Sequence, residues 1–217
     1  MYNQLLIPTF AADRRADAMA TIEAASAAIG ATSLLFAPTL PGVYNGGDAI
    51  WRASFPDKAA RDAALASPAW APAARLLADP AITTHVDAVG FANGTLGGPV
   101  DGGGLYRVAL FRASIDPTPD RLAAFAAQTA SLPRAITAIR RWQIATATPG
   151  EASGLHGWTH VWEQEYADRA GLEGPYMMHP AHWAHVERWF DPEYPEFLVH
   201  PLLVHTFCAI DRAVIVG

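Results

Sequence analysis

Cysteine and lysine are almost absent from this 217-residue chain, with Cys208 and Lys58 the sole examples. A single thiol excludes an intramolecular disulfide and any multi-thiolate zinc site. Basic runs are missing as well. Lys plus Arg number 15 against 21 Asp plus Glu, a formal net charge of -6. A binder of the phosphate backbone needs clustered positive charge to displace counterions, so nucleic acid is not an expected partner. No window approaches the roughly 18 uninterrupted apolar residues of a membrane helix, which argues against a membrane partner. The opening Met1-Tyr2-Asn3-Gln4 lacks the basic residues and apolar region of a signal peptide. The expectation is a soluble cytoplasmic protein.

What the chain does have is apolar surface to bury. Apolar residues make up 51% and charged residues 17%, which excludes a disordered or fibrous protein. The length allows one large domain or two of about 100 residues. Alanine, dense from Ala11 to Ala147, favours helices and says little about function. Histidine is more informative. Of eight, only His85 lies in the first half, and the other seven fall between His156 and His205. The side chain that titrates nearest neutral pH is thus concentrated in one region, which points to acid–base or metal chemistry there.

The chain also repeats itself. Ser67-Pro68-Ala69-Trp70 followed by Asp79-Pro80 matches His179-Pro180-Ala181-His182 followed by Asp191-Pro192, both at an offset of 112 residues. Gly47-Asp48-Ala49-Ile50-Trp51 resembles Gly157-Trp158-Thr159-His160-Val161-Trp162 after a one-residue slip. Apolar periodicity predicts strands at 5–10, 32–37, 49–55 and 83–91 in the first copy, with helices over 11–29 and 58–78, the second broken at Pro68. In the second copy it predicts strands at 106–113, 138–147, 158–166 and 203–210. Helices are expected over 119–131, capped by Asp116 or Thr118, and, interrupted, over 169–190. The order β-α-β-β-α-β is the ferredoxin-like split βαβ unit. Residues 1–92 and 105–217 are therefore read as tandem repeats, joined by a linker, 93–104, that holds seven glycines or prolines. Each unit leaves one sheet face uncovered, so the pair is expected to close as a pseudo-dimeric α/β barrel of the α+β class. Further self-association into a homodimer is then optional.

Candidate site residues lie in the second copy. Alternation along 158–166 places Trp158, His160, Trp162, Gln164 and Tyr166 on one face. Pro180 suits a first helical position, which puts His182 in the first turn, where the helix dipole disfavours imidazolium. A neutral imidazole can accept a proton as a general base. His179 reads as a helix cap, Trp183 and Trp189 as core, and Met177 and Met178 as gap-fillers. His200 and His205 have no motif support. A metal site is the rival reading, because His179, His182 and His185 cluster. The zincin pattern of two histidines at i,i+4 with an intervening glutamate is absent.

Gly157-Trp158-Thr159-His160-Val161 with Tyr176-Met177-Met178-His179-Pro180-Ala181-His182 resembles the stress-responsive dimeric α/β-barrel (Dabb) family, in particular its plant polyketide cyclase type. The resemblance implies His182 as base, His160 as its strand histidine and Tyr176 as a pocket tyrosine. The cyclases' first-helix tyrosine, eight residues before a proline, falls on Phe125, which has no hydroxyl. In the first copy Ser67 and Trp70 replace the histidines, so that copy reads as catalytically empty.

The leading expectation is a cofactor-independent acid–base enzyme of cyclase, lyase or isomerase type. Its substrate would be a small apolar, aromatic or polyketide-like carbonyl compound. His182, His160 and Tyr176 would be catalytic, with Trp158, Trp162, His179, Trp183 and Phe125 lining the pocket. The alternatives are a non-catalytic, stress-responsive ligand-binding protein and a haem- or metal-binding barrel, since the resemblance extends to barrels that bind haem.

Overall fold

The computed structural model describes residues 1–100 and 102–217; Asp101, within the expected linker, lies outside the described residues. The first repeat runs β1 (Tyr2–Phe10), α1 (Arg15–Ser26), β2 (Ser33–Pro38), β3 (Ala49–Phe55), α2 (Lys58–Leu65), α3 (Ala71–Ala78) and β4 (Thr83–Ala92). Pro68 separates α2 from α3, as its missing amide requires. The Asp57 carboxylate starts α2 by accepting from the Ala60 amide at 2.8 Å.

A short strand, β5 (Thr95–Gly97), leads into the second repeat. There follow β6 (Gly102–Phe111), α4 (Pro119–Ala135), β7 (Arg141–Thr146), β8 (Ala152–Ser153) and β9 (His160–Tyr166). Thr118 caps α4, accepting from the Arg121 amide at 3.3 Å. Asp116 instead takes a left-handed turn conformation at φ 45°. The single interrupted helix expected over 169–190 is a chain of short pieces: α5 (Arg169–Gly171), a π turn (Leu172–Tyr176), α6 (Pro180–His185) and a 3-10 turn (Glu187–Trp189). Gly174-Pro175 and His179-Pro180 dictate those breaks. Strand β10 (Val204–Arg212) closes the unit.

Two five-stranded antiparallel sheets result, ordered β2-β3-β1-β4-β8 and β10-β6-β9-β7-β5. By repeat position their first four members follow one order read in opposite directions, 2-3-1-4 and 4-1-3-2, the signature of a ferredoxin-like pair. The segment 93–104, expected as a linker, is partly strand. Part of it is β5, which pairs with β7, and β6 begins inside it. Glycine permits that contact: a Cβ on Gly94 would sit 2.0 Å from the Ile144 carbonyl oxygen, and one on Gly98 1.9 Å from that of Arg140.

The sheets face each other and meet at both margins, β10 beside β2 and β4 beside β7. Leu5, Ile7, Ile50 and Val89 of one sheet pack on Tyr106, Val108, Leu110 and Val161 of the other. Inside this barrel lies a buried ion pair, Arg52 Nε to Glu163 Oε1 at 2.5 Å. Tyr106 donates its hydroxyl to Glu163 at 2.5 Å, and Gln143 donates to the second carboxylate oxygen at 2.7 Å. A charge pair removed from water persists only when its hydrogen bonds are completed in this way. The outer sheet faces carry the helices: α1 to α3 over one, α4 and α6 over the other.

Candidate active site

The outer face of the second sheet is mostly apolar. On β6 the residues Leu105, Ala109 and Phe111 point to the helices, and Arg107 stands among them. Arg107 pairs in register with Gln164 on β9 and Phe207 on β10. Its guanidinium donates to Gln164 Oε1 at 2.7 Å and lies 5.5 Å from the Tyr176 ring centroid. Its Nε is buried with no hydrogen-bond partner.

Above this face the π turn presents Tyr176, and α6 presents His182. The Met177 amide bonds to the Leu172 carbonyl, five residues back, at 3.1 Å. That wider turn swings Tyr176 inward, where it is buried. Its hydroxyl accepts from Trp162 Nε1 at 3.4 Å, and its ring centroid is 4.6 Å from that of His182. The helix α6 begins at Pro180, as its sequence predicts. The His179 ring Nδ1 caps it by accepting from the Ala181 amide at 3.1 Å. His182 then turns into the structure while His185 remains exposed.

Between sheet and helices lies a cavity of about 430 Å³. Arg107, His182, His205 and Tyr176 supply its polar wall, and Phe111, Val186, Phe190 and Leu203 its apolar one. Met177, Glu187, Asp191 and Pro201 complete the lining. Burial, reinforced by the Arg107 charge, lowers His182 from 6.5 to about 4. Burial likewise lowers His205 to about 3, with Arg107 and His182 adding to the effect. Both imidazoles are therefore neutral at pH 7. For His182 the principal cause is desolvation, not the dipole of a six-residue helix. His182 Nδ1 and His205 Nε2 are buried without hydrogen-bond partners, as are the amide nitrogen of Gln164 and the hydroxyl of Tyr166 on the same sheet face. Arg107 Nε is a further buried polar atom without a partner at this junction of sheet and helix.

The sequence reading placed His160 beside His182, and the structure does not. His160 lies on the same sheet face but lines a separate cavity of about 450 Å³ with Trp158, Thr159 and Leu122. Its ring packs edge-on to Phe125, 5.3 Å between centroids, and Phe125 in turn meets Phe111 and Trp189. Phe125 is fully buried and lines neither of the two cavities. Trp158 is also reassigned. The strand starts at His160, so the alternation does not extend back to it. Its ring joins the barrel interior and donates to Asp87 at 2.9 Å. Trp162 is buried behind Tyr176, and Trp183 is exposed, donating to the Met177 carbonyl at 2.9 Å. Tyr176 and His182 are the expected residues that share the cavity.

Two residues of the polar wall, Arg107 and His205, are not legible in the sequence. Arg107 had one signal, a lone charge in the apolar run Leu105–Phe111. His205 had none, because the β10 strand reaches the site only through the fold. Its backbone exchanges hydrogen bonds with Tyr44 at 2.8 and 2.9 Å, so a loop of the first repeat steadies it. Among the described residues no group of three His, Cys, Asp or Glu side chains is placed to hold a metal ion.

Fold and site together define the class: two ferredoxin-like repeats closed into one α/β barrel, with a cavity under the helices of the second. Residues 105–201, within the second repeat, match the model of the Stress responsive A/B Barrel Domain (Dabb). No curated protein matches the sequence. Among solved structures, an anthrone oxidase-like protein superposes with a TM-score of 0.68 at 11% identity, covering 96% of this chain and 90% of its own. A protein described as a monooxygenase from Fusobacterium nucleatum subsp. nucleatum gives 0.64 at 7% identity, covering 98% and 94%. Another of that description, from Lactobacillus acidophilus NCFM, gives 0.58 at 11% identity, covering 99% and 98%. At these identities the likeness concerns the fold.

Proposed function

We propose that the second repeat is a cofactor-independent acid–base site for a small apolar carbonyl compound. The observation that carries this is the pairing of a neutral, buried His182 with the Arg107 guanidinium across one mostly apolar cavity. The imidazole of His182 removes a proton from the carbon next to the carbonyl. The electron pair of the broken C–H bond moves onto the carbonyl oxygen, and Arg107 donates a hydrogen bond to the developing oxyanion. Return of the proton to a different carbon completes an isomerisation. Attack of the enolate carbon on a second carbonyl completes a cyclisation or an aldol-type step.

A base held near 4 in the empty site is weak, but the developing oxyanion raises its affinity for the proton as the reaction proceeds. The apolar wall supports an aromatic or polyketide-like substrate body. The anthrone oxidase-like and monooxygenase-described relatives support a catalytic role of some kind for such barrels. Tyr176, locked between Trp162 and His182, orients the base.

Deuterium wash-in tests the proposal. Phenylacetone incubated in deuterated buffer should lose its α-proton signal faster with the protein than without it. Equal rates with and without protein, across phenylacetone and related aryl ketones, would reject the reading.

A further inference from the structure

We propose that the polar wall of the cavity is an anion subsite for a phenolate or carboxylate oxygen carried on a ring-sized apolar body. The inference rests on the acid–base reading for the identity of the pocket, and it adds the charge of the group that the pocket selects.

Arg107 carries the argument. It is 6% exposed, and its side-chain hydrogen bond goes to the neutral amide of Gln164. No carboxylate of the described residues forms an ion pair with it, whereas the buried Arg52 pairs with Glu163 and the buried Arg61 with Asp62 and Glu151. Arg141, also buried, is held instead by the backbone carbonyls of Ile215 and Gly98. A guanidinium taken out of water is stable only when a counter-charge or a full set of acceptors completes it. Glu187 and Asp191 line the same cavity, but neither pairs with Arg107.

His182 and His205 stand close enough to Arg107 to feel its charge. His182 Nδ1, His205 Nε2 and Arg107 Nε are all buried and unpartnered, and all three residues line one cavity. A neutral imidazole can donate one hydrogen bond, so each histidine is a donor to an anion in the appropriate tautomer. Two imidazoles held neutral beside a guanidinium bind an anion without themselves adding charge. Phe111, Val186, Phe190 and Leu203 form an apolar wall that suits an apolar ligand body.

4-Nitrophenol is the probe, since its phenolate is yellow and its phenol colourless. Bound to the wild-type protein, its phenol should ionise at a proton concentration at least tenfold higher than in free solution, that is, with at least a tenfold preference for the anion. Benzoate should displace it at least tenfold better than benzamide, which has the same shape without the charge. Arg107→Gln should abolish the preference, and Arg107→Lys should restore part of it. If the Gln variant does not fold, the benzoate-to-benzamide ratio on the wild-type protein and the Lys variant decide. A folded Gln variant that keeps the preference, or equal displacement by the two competitors, would overturn the subsite. An anion preference in a protein inactive in deuterium exchange would sink the acid–base reading alone. Exchange activity without anion preference would sink the subsite alone.

Discussion

Trp70 and His182, 112 residues apart in sequence, occupy matching places in the two repeats and do opposite things. Trp70 lays its ring 4.8 Å from that of Trp51 and fills the space under its helices. In the second repeat Tyr176 stands between Trp162 and His182, and a cavity opens instead. One copy packs where the other leaves room for a ligand.

The packing copy should behave as core. Trp70→Ala should destabilise the protein by about 3–5 kcal/mol, the usual cost of emptying a buried aromatic site. Urea unfolding at pH 7 measures it. A loss under about 1 kcal/mol, well below that range, would show that Trp70 does not fill its half of the barrel.

The ion pair inside the barrel should couple the two repeats. Arg52→Met leaves the Glu163 carboxylate buried without its cation and should cost about 3–5 kcal/mol. Adding Glu163→Gln removes the stranded charge, so the double variant should be less damaged than the sum of the singles. Additive losses in a double-mutant cycle would contradict a direct pair.

Acid stability follows from the buried histidines. His160 and His182 are held near 4, and His205 near 3, against 6.5 when exposed, in each case chiefly by burial. Between those values the unfolded chain binds more protons than the folded one. Stability from this source is therefore complete above about pH 6.5 and falls as pH drops toward 4. A tenfold difference in proton affinity between the folded and unfolded chain is worth about 1.4 kcal/mol. His205→Gln should accordingly gain on the wild type as pH is lowered from about 7 to about 4.5, with urea midpoints as the readout. A constant difference across that range would place His205 in water.

His160 sits in its own cavity behind Phe125. Replacing it with Asn should change the deuterium-exchange rate by less than about threefold, whereas His182→Gln should lower it by about 10²–10⁴-fold. An equal loss in a folded His160→Asn variant would return that histidine to the chemistry.

The contrast shows what a linear pattern can carry. Alternation and the duplication specify the two repeats, because each strand buries one face and each copy repeats the same order. The break at Pro68 and the helix start at Pro180 follow from proline's missing amide and fixed φ. Faces are misread where a strand's first residue is misplaced: Trp158 lies before β9, so its ring turns into the barrel. The segment 93–104 reads as linker because glycine suits both a linker and a close strand contact. Arg107 and His205 escape for a different reason. They meet His182 only when β6, β10 and α6 converge, and no spacing within one segment encodes that.

The central claim is that His182 acts as a base in the cavity it shares with Arg107. Its most direct test is the initial rate of deuterium wash-in to phenylacetone at neutral pH, measured on wild type and on His182→Gln with matched melting temperatures. The account predicts acceleration by the wild type and a loss of about 10²–10⁴-fold in the variant. An unchanged rate per folded molecule in the Gln variant would contradict it.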